Sequence, residues 1–212
     1  MLLRRTANAG VLLTLDGVMI LLDGVCREVK PYPATPPEER AQLTACFPDI
    51  VAFTHAHKDH YDPAYAAEYL RQTGRVLLGP EGIRGGQMTP VTVRNVTVTP
   101  VPSRHIGAAG KTTPHTSFLV RGSKTILFTG DAAPSQWRRS SLPKPDVLVV
   151  PYAYALTPAG WQLTQSLGAE SVVLLHLPER KEDAPELWQG VTESLQELTQ
   201  VQIPNLSQEL NI

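Results

Sequence analysis

The chain has 212 residues, 42% hydrophobic and 18% charged, and its 19 basic and 20 acidic residues leave a formal charge of −1. That length and composition suit a single domain over residues 1–212 with a substantial core and exclude a disordered chain. The balanced charge offers no global field to recruit nucleic acid or an anionic membrane, and no run approaches the roughly 20 apolar residues of a membrane span.

Gly10 to Leu15 and Val18 to Leu22 are apolar runs separated by Asp16-Gly17, the dipeptide of a type I′ turn, and predict an antiparallel hairpin. Arg4 and Arg5 precede this stretch, but Asp16 and Asp23 interrupt it, so it reads as a strand pair and not as a signal peptide. Cys26 and Cys46 are too few for a disulfide framework and are expected to be reduced and buried, in a cytoplasmic protein. Pro31, Pro33, Pro36 and Pro37 exclude regular structure until a helix over Glu38 to Ala45. Asp49 to Thr54 is a short buried strand, Pro63 to Gly74 a helix stopped by its glycine, and Arg75 to Gly79 the next strand.

The glycine-rich stretch from Glu81 to Met88 predicts a loop, and the alternating valines of Thr89 to Val101 a hairpin or bulged strand. Strands follow at Thr116 to Val120, Thr125 to Thr129, Val147 to Val150 and Val172 to Leu175, the last two apolar enough to be covered on both faces. Pro158 to Leu167 is helical, and Glu186 to Thr199 carries Leu187, Val191, Leu195 and Leu198 on one face of a closing helix whose other face could pair with a second copy.

Chemistry concentrates in His55-Ala56-His57-Lys58-Asp59-His60, directly after the Asp49 to Thr54 strand. Three imidazoles and a carboxylate in six residues match the donor preferences of zinc, iron or manganese, and no packed core needs them. Three further strands end the same way: Thr99 to Arg104 delivers His105, Ile126 to Gly130 delivers Asp131, and Ser171 to Leu175 delivers His176. Strands packed in a sheet would converge these residues on one edge.

Thr54 to Asp62, the hairpin from Asn8 to Gly24, Phe128-Thr129-Gly130-Asp131 and Leu174-Leu175-His176 together resemble the signature segments of the metallo-β-lactamase superfamily of metal-dependent hydrolases. The compact length and the segment from Pro151-Tyr152 to His176 look most similar to its UlaG-like branch, which includes the ascorbate-6-phosphate lactonase. The resemblance implies a four-layer αββα sandwich of two mixed β-sheets with outer helices, and two divalent ions, Zn or else Mn or Fe. Carried onto this sequence, His55, His57 and His105 would hold one ion, Asp59, His60 and His176 the other, and Asp131 would bridge them. His105 and His115 are alternatives for the third ligand segment; His105 is favoured because it directly follows an apolar strand, which leaves His115 to contact substrate from a lid.

Two cations flanking a water lower its pKa toward roughly 7, which would supply hydroxide without a separate nucleophile, with Asp59 orienting it. The chain lacks a Gly-x-Ser-x-Gly elbow for serine chemistry. Lactones, thioesters and phosphodiesters all fit such a site. Arg84, Arg104 and Lys111 are candidate contacts for an anionic small molecule, a lactone or phosphoester, and Tyr152 and Tyr154 candidate pocket walls. A small phosphodiesterase is a second reading; a binding or regulatory protein that had lost turnover should lack ligands, whereas all seven are present.

Overall fold

The computed structural model describes residues 1–139, 141–195 and 200–212, without the side chains of residues 109, 111, 138, 139 and 159. The chain opens with β1 (Leu2–Arg5), β2 (Val11–Leu15) and β3 (Val18–Leu22), followed by α1 (Pro37–Ala45), β4 (Ile50–Ala52), α2 (Pro63–Thr73), β5 (Leu77–Leu78) and β6 (Gly86–Gln87). Next come β7 (Val91–Val93), β8 (Val96–Arg104), β9 (Pro114–Arg121), β10 (Thr125–Phe128), β11 (Val147–Pro151), α3 (Ala153–Leu156), α4 (Pro158–Leu167), β12 (Ser171–Leu175), α5 (Pro185–Leu195), β13 (Val201–Gln202) and β14 (Glu209–Asn211).

Two sheets result, in the order β14-β1-β2-β3-β4-β5-β6 and β13-β12-β11-β10-β9-β8-β7. Each is antiparallel over its hairpin strands and parallel from β3 to β6 and from β10 to β13. Leu13, Ile20 and Ile50 of the first sheet pack against Phe118, Ile126 and Val149 of the second. On the outer faces Leu43, Tyr65 and Tyr69 of α1 and α2 cover Val51, while Tyr154, Leu163 and Val191 of α3, α4 and α5 cover Leu148 and Leu174. Burial of such side chains contributes about 1.5–3 kcal/mol each. The architecture is therefore the expected αββα sandwich.

Local chemistry sets the boundaries. Asp16 (φ 52°) and Gly17 (φ 74°) both take the left-handed values a type I′ turn demands. Asp62 caps α2 by accepting from the Ala64 and Tyr65 amides at 2.8 and 3.2 Å, and Gly74 (φ 63°) ends it. The valine-rich segment is a hairpin turning at Arg94-Asn95.

Several expectations are corrected. Residues 86–87 of the glycine-rich loop form a strand, because Gly86 and Gln87 pair with Leu77 and Leu78. Strands β1, β13 and β14 carry too few apolar residues to be seen in the sequence; β1 buries Arg5, whose guanidinium donates to the Ala7, Pro204 and Leu177 carbonyls and pairs with Glu179 at 3.1 Å. Cys26 is buried but Cys46, capping α1, is exposed; both are free. The closing helix is described to Leu195, and its predicted continuation over residues 196–199 lies outside the described residues. Among those described, no helix is long and apolar enough to cross a membrane.

The topology explains where chemistry collects. Strand β8 runs antiparallel to β9, and β9 to β10, so β8 and β10 point the same way, as do β11 and β12. Their C-terminal ends share one edge, and the Thr116 amide donating to the Thr54 carbonyl at 2.9 Å ties that edge to the end of β4.

Candidate metal centre

Beyond β4 the chain runs through Phe53, buried against Tyr61, into a tight turn in which the His60 and Tyr61 amides donate to the His57 carbonyl at 3.1 and 2.9 Å. The turn projects His55, His57, Asp59 and His60 toward the shared edge, where His105, Asp131 and His176 arrive from β8, β10 and β12. The His105 and Asp131 segments are stitched together: the Ile106 amide donates to the Asp131 carbonyl at 2.8 Å and the Ala133 amide to the Arg104 carbonyl at 2.7 Å.

Hydrogen bonding fixes the tautomers. The Thr54 hydroxyl donates to Asp23 Oδ2 at 2.6 Å, so it accepts from His55 Nδ1–H at 2.9 Å. His60 Nδ1–H donates to the same Asp23 oxygen at 2.9 Å, and His105 Nδ1–H to the Ile106 carbonyl at 2.8 Å. His115 Nδ1–H reaches Ser103 at 2.7 Å in a relay that continues through Ser117 to the Thr129 carbonyl. Each ring, when neutral, is left with a bare Nε2. Among the described residues seven buried side-chain polar atoms lack a partner, and four of them are Nε2 of His55, His60, His105 and His115. Buried acceptors without donors cost about 1–3 kcal/mol each, so a missing cation or donor belongs here. The Asn8 amide oxygen is also unpartnered, and turned toward His176 Nδ1, which the amide already approaches at 3.4 Å, it would fix that ring the same way.

Three groups have ligand atoms mutually within 4.8 Å: His55, His57 and His105; His55, His60 and Asp131; and Asp59, His60 and His176. Asp131 Oδ2 lies 3.4 Å from His60 Nε2 and 3.6 Å from both His105 and His176 Nε2, and Asp59 Oδ2 lies 3.3 Å from His176 Nε2. Burial opposes charge on Asp131, but the facing His176, His60 and His55 hold its carboxyl well below the ordinary range. Asp59 is likewise lowered against its burial, first by the His176 hydrogen bond. Burial opposes charge on His60 too, yet Asp131 and Asp23 raise it well above the usual value, whereas burial drives His55 far down, lowers His57 and brings His115 to about 3. Ionised carboxylates beside the neutral rings of His55, His57 and His115 create a demand for positive charge that, without an ion, His60 meets by holding its proton. The donor set of imidazole nitrogen and carboxylate oxygen suits a first-row divalent ion.

The structure thus brings together all seven residues singled out as ligands. His115 belongs to none of the three groups and stands in β9, not on a lid, because the strand begins at Pro114 and pairs His115 with Ser103; its ring centroid is 5.1 Å from that of His55. Tyr152 lines the edge near His176, at 6.1 Å between ring centroids. Tyr154 does not: it is fully buried, accepting from Trp137 Nε1 and donating to the Ala132 carbonyl, both at 2.8 Å, and so supports the Asp131 loop from behind. Arg104 is exposed and turned to Ser135 at 3.4 Å, Arg84 is exposed, and the Lys111 side chain lies outside the described ones. Sequence reasoning missed Asp23, whose only signal is a carboxylate ending an apolar strand. It also missed Tyr32, whose ring meets His176 edge-on at 4.6 Å.

The beta-lactamase superfamily domain matches residues 5–173 of the chain. The chain belongs to that superfamily. Membership implies divalent metal ions, in accord with the unpartnered nitrogens above. Among solved structures, Igni18, a metallo hydrolase from the archaeon Ignicoccus hospitalis, superposes with a TM-score of 0.67 at 20% identity over 99% of this chain and 97% of that one. An isothiocyanate hydrolase from Delia radicum gut bacteria gives 0.71 at 17% identity over 100% and 99%. CmlA, a diiron β-hydroxylase from Streptomyces venezuelae, gives 0.70 at 14% identity over 100% of this chain and 54% of its own. At these identities the likeness is one of fold. No curated protein matches the chain in sequence.

Proposed function

We propose that this protein is a metal-dependent hydrolase of the UlaG-like branch, acting on a small lactone or phosphoester at a site for two divalent ions, Zn or else Mn or Fe. The observation that carries the reading is the convergence of buried, unpartnered Nε2 atoms of His55, His60 and His105 with Asp59 and Asp131. His55, His57 and His105 would hold one ion and Asp59, His60 and His176 the other. Asp131 would lie between them, its Oδ2 within 3.4–3.6 Å of three imidazoles.

When bound, the ions supply a water that ionises near neutral pH and a Lewis acid for the oxygen under attack. Asp59, half-buried and held ionised, keeps a carboxylate oxygen available as acceptor and so orients the attacking water. Asp23 and the Ile106 carbonyl hold the imidazole protons on Nδ1, away from the reacting atoms. An anionic substrate would call on Arg84 or Arg104, both of them exposed. The test is a screen of the Zn- and Mn-loaded protein against lactones, phosphodiesters and thioesters. Turnover of one class, reduced at least about a hundredfold in Asp59→Ala with the fold intact, is expected. Full activity in that variant would refute the role of Asp59.

A further inference from the structure

Tyr32 enters from the proline-rich segment 31–37, Tyr152 from the end of β11, and their hydroxyls meet at 3.3 Å. Both rings flank His176 edge-on, with centroids at 4.6 and 6.1 Å. A pair of phenols owns two O–H protons and spends one on their mutual bond. Among the described residues neither hydroxyl has another partner, so one O–H remains to donate, beside the group formed by Asp59, His60 and His176. If Tyr152 donates to Tyr32, the free proton is that of Tyr32.

Tyr32 also walls a cleft of about 580 Å³ that takes in Glu28, Lys30, Glu179, Arg180 and Asp183. Glu179 is engaged by Arg5 at 3.1 Å, whereas Arg180 meets Glu182 only at 3.9 Å with both side chains exposed and so still counts as a cation of the cleft. The remainder, Lys30 and Arg180 against Glu28 and Asp183, is two cations against two anions, which leaves no excess of positive charge for a phosphate. The prolines on either side of Tyr32 give the wall an apolar surface.

We propose that this cleft is the substrate subsite of the hydrolase, that Tyr32 donates a hydrogen bond to an uncharged acceptor oxygen of the substrate, and that Tyr152 is the positioning residue that turns the Tyr32 hydroxyl inward. The group held in the cleft is then neutral, and the lactone is favoured over the phosphoester. The inference rests on the hydrolase reading for the reaction but on protein groups alone for the binding.

The test titrates zinc-treated wild type, Tyr32→Phe and Tyr152→Phe calorimetrically with δ-valerolactam, a neutral lactone-shaped amide, and separately with inorganic phosphate, with zinc content measured on the same samples. Lactam affinity should fall about fivefold to tenfold in Tyr32→Phe, the loss of one neutral hydrogen bond, and in the same direction in Tyr152→Phe, while phosphate affinity stays unchanged. Equal lactam affinity in wild type and Tyr32→Phe, no lactam binding at all, or an equal loss for phosphate overturns the proposal. Failure of the metal reading would show separately as zinc-free wild type, and the lactam titration would still decide, because the cleft and both hydroxyls belong to the protein.

Discussion

Asp23→Asn isolates the residue that sets the imidazole tautomers. Asp23 is fully buried; Oδ1 accepts from the Thr54 amide at 2.7 Å, and Oδ2 accepts from both the Thr54 hydroxyl at 2.6 Å and His60 Nδ1–H at 2.9 Å. An asparagine can keep its oxygen on the Thr54 amide, but its NH₂ then faces two groups that each present a proton. His60 must accept instead, which moves its proton to Nε2, the atom 3.4 Å from Asp131. That nitrogen can no longer bind a cation, and loss of such an orienting partner weakens metal affinity about 10–100-fold, or roughly 1.4–2.7 kcal/mol. Competition titration with a chromogenic chelator should show one weakened ion, at the Asp59, His60 and His176 group, and a smaller effect at the group of His55, whose proton reaches Asp23 through Thr54. Wild-type affinities at both steps would refute the tautomer argument.

Gly130 holds φ +52° with Thr54 Cγ2 2.6 Å from the position of an added Cβ. Gly130→Ala therefore combines left-handed strain with overpacking and should cost about 2–4 kcal/mol in urea denaturation; a loss below about 1 kcal/mol would show that the Asp131 loop gives way freely. His115 titrates near 3 when folded because it is buried, against about 6.5 when unfolded. Between those values the unfolded chain binds the proton and the folded one does not. The stabilisation is therefore complete above about pH 6.5 and is lost as pH falls toward 3, by up to about 1.4 kcal/mol per pH unit. Metal-free wild type should show a steeper decline from pH 6.5 to 4 than His115→Gln, and equal slopes would contradict the burial of that ring.

The ligand set was legible because His55, His105, Asp131 and His176 each follow a strand, and His57, Asp59 and His60 share the turn that His55 opens, so that strand order brings the residues to one edge. The hairpin at Asp16-Gly17 and the cap and stop of α2 were legible for the same reason: their backbone geometry demands particular residue types. Other features depend on partners far away in sequence. Arg5 can be buried in β1 only because carbonyls at Leu177 and Pro204 receive it. Tyr154 resembles a pocket residue until Trp137 and Ala132 occupy its hydroxyl. His115 followed a glycine-rich stretch that suggested a lid, but pairing of residues 114–121 with β8 draws it into the sheet. Tyr32 lay among prolines, with no periodicity to show which way its ring would turn.

The central claim is that the seven converging residues hold two metal ions. Elemental analysis of the purified protein, after reconstitution with Zn, Mn or Fe and removal of excess ion, tests it most directly. The account predicts close to two equivalents per chain, falling toward one in His176→Ala; no bound metal after reconstitution would contradict it.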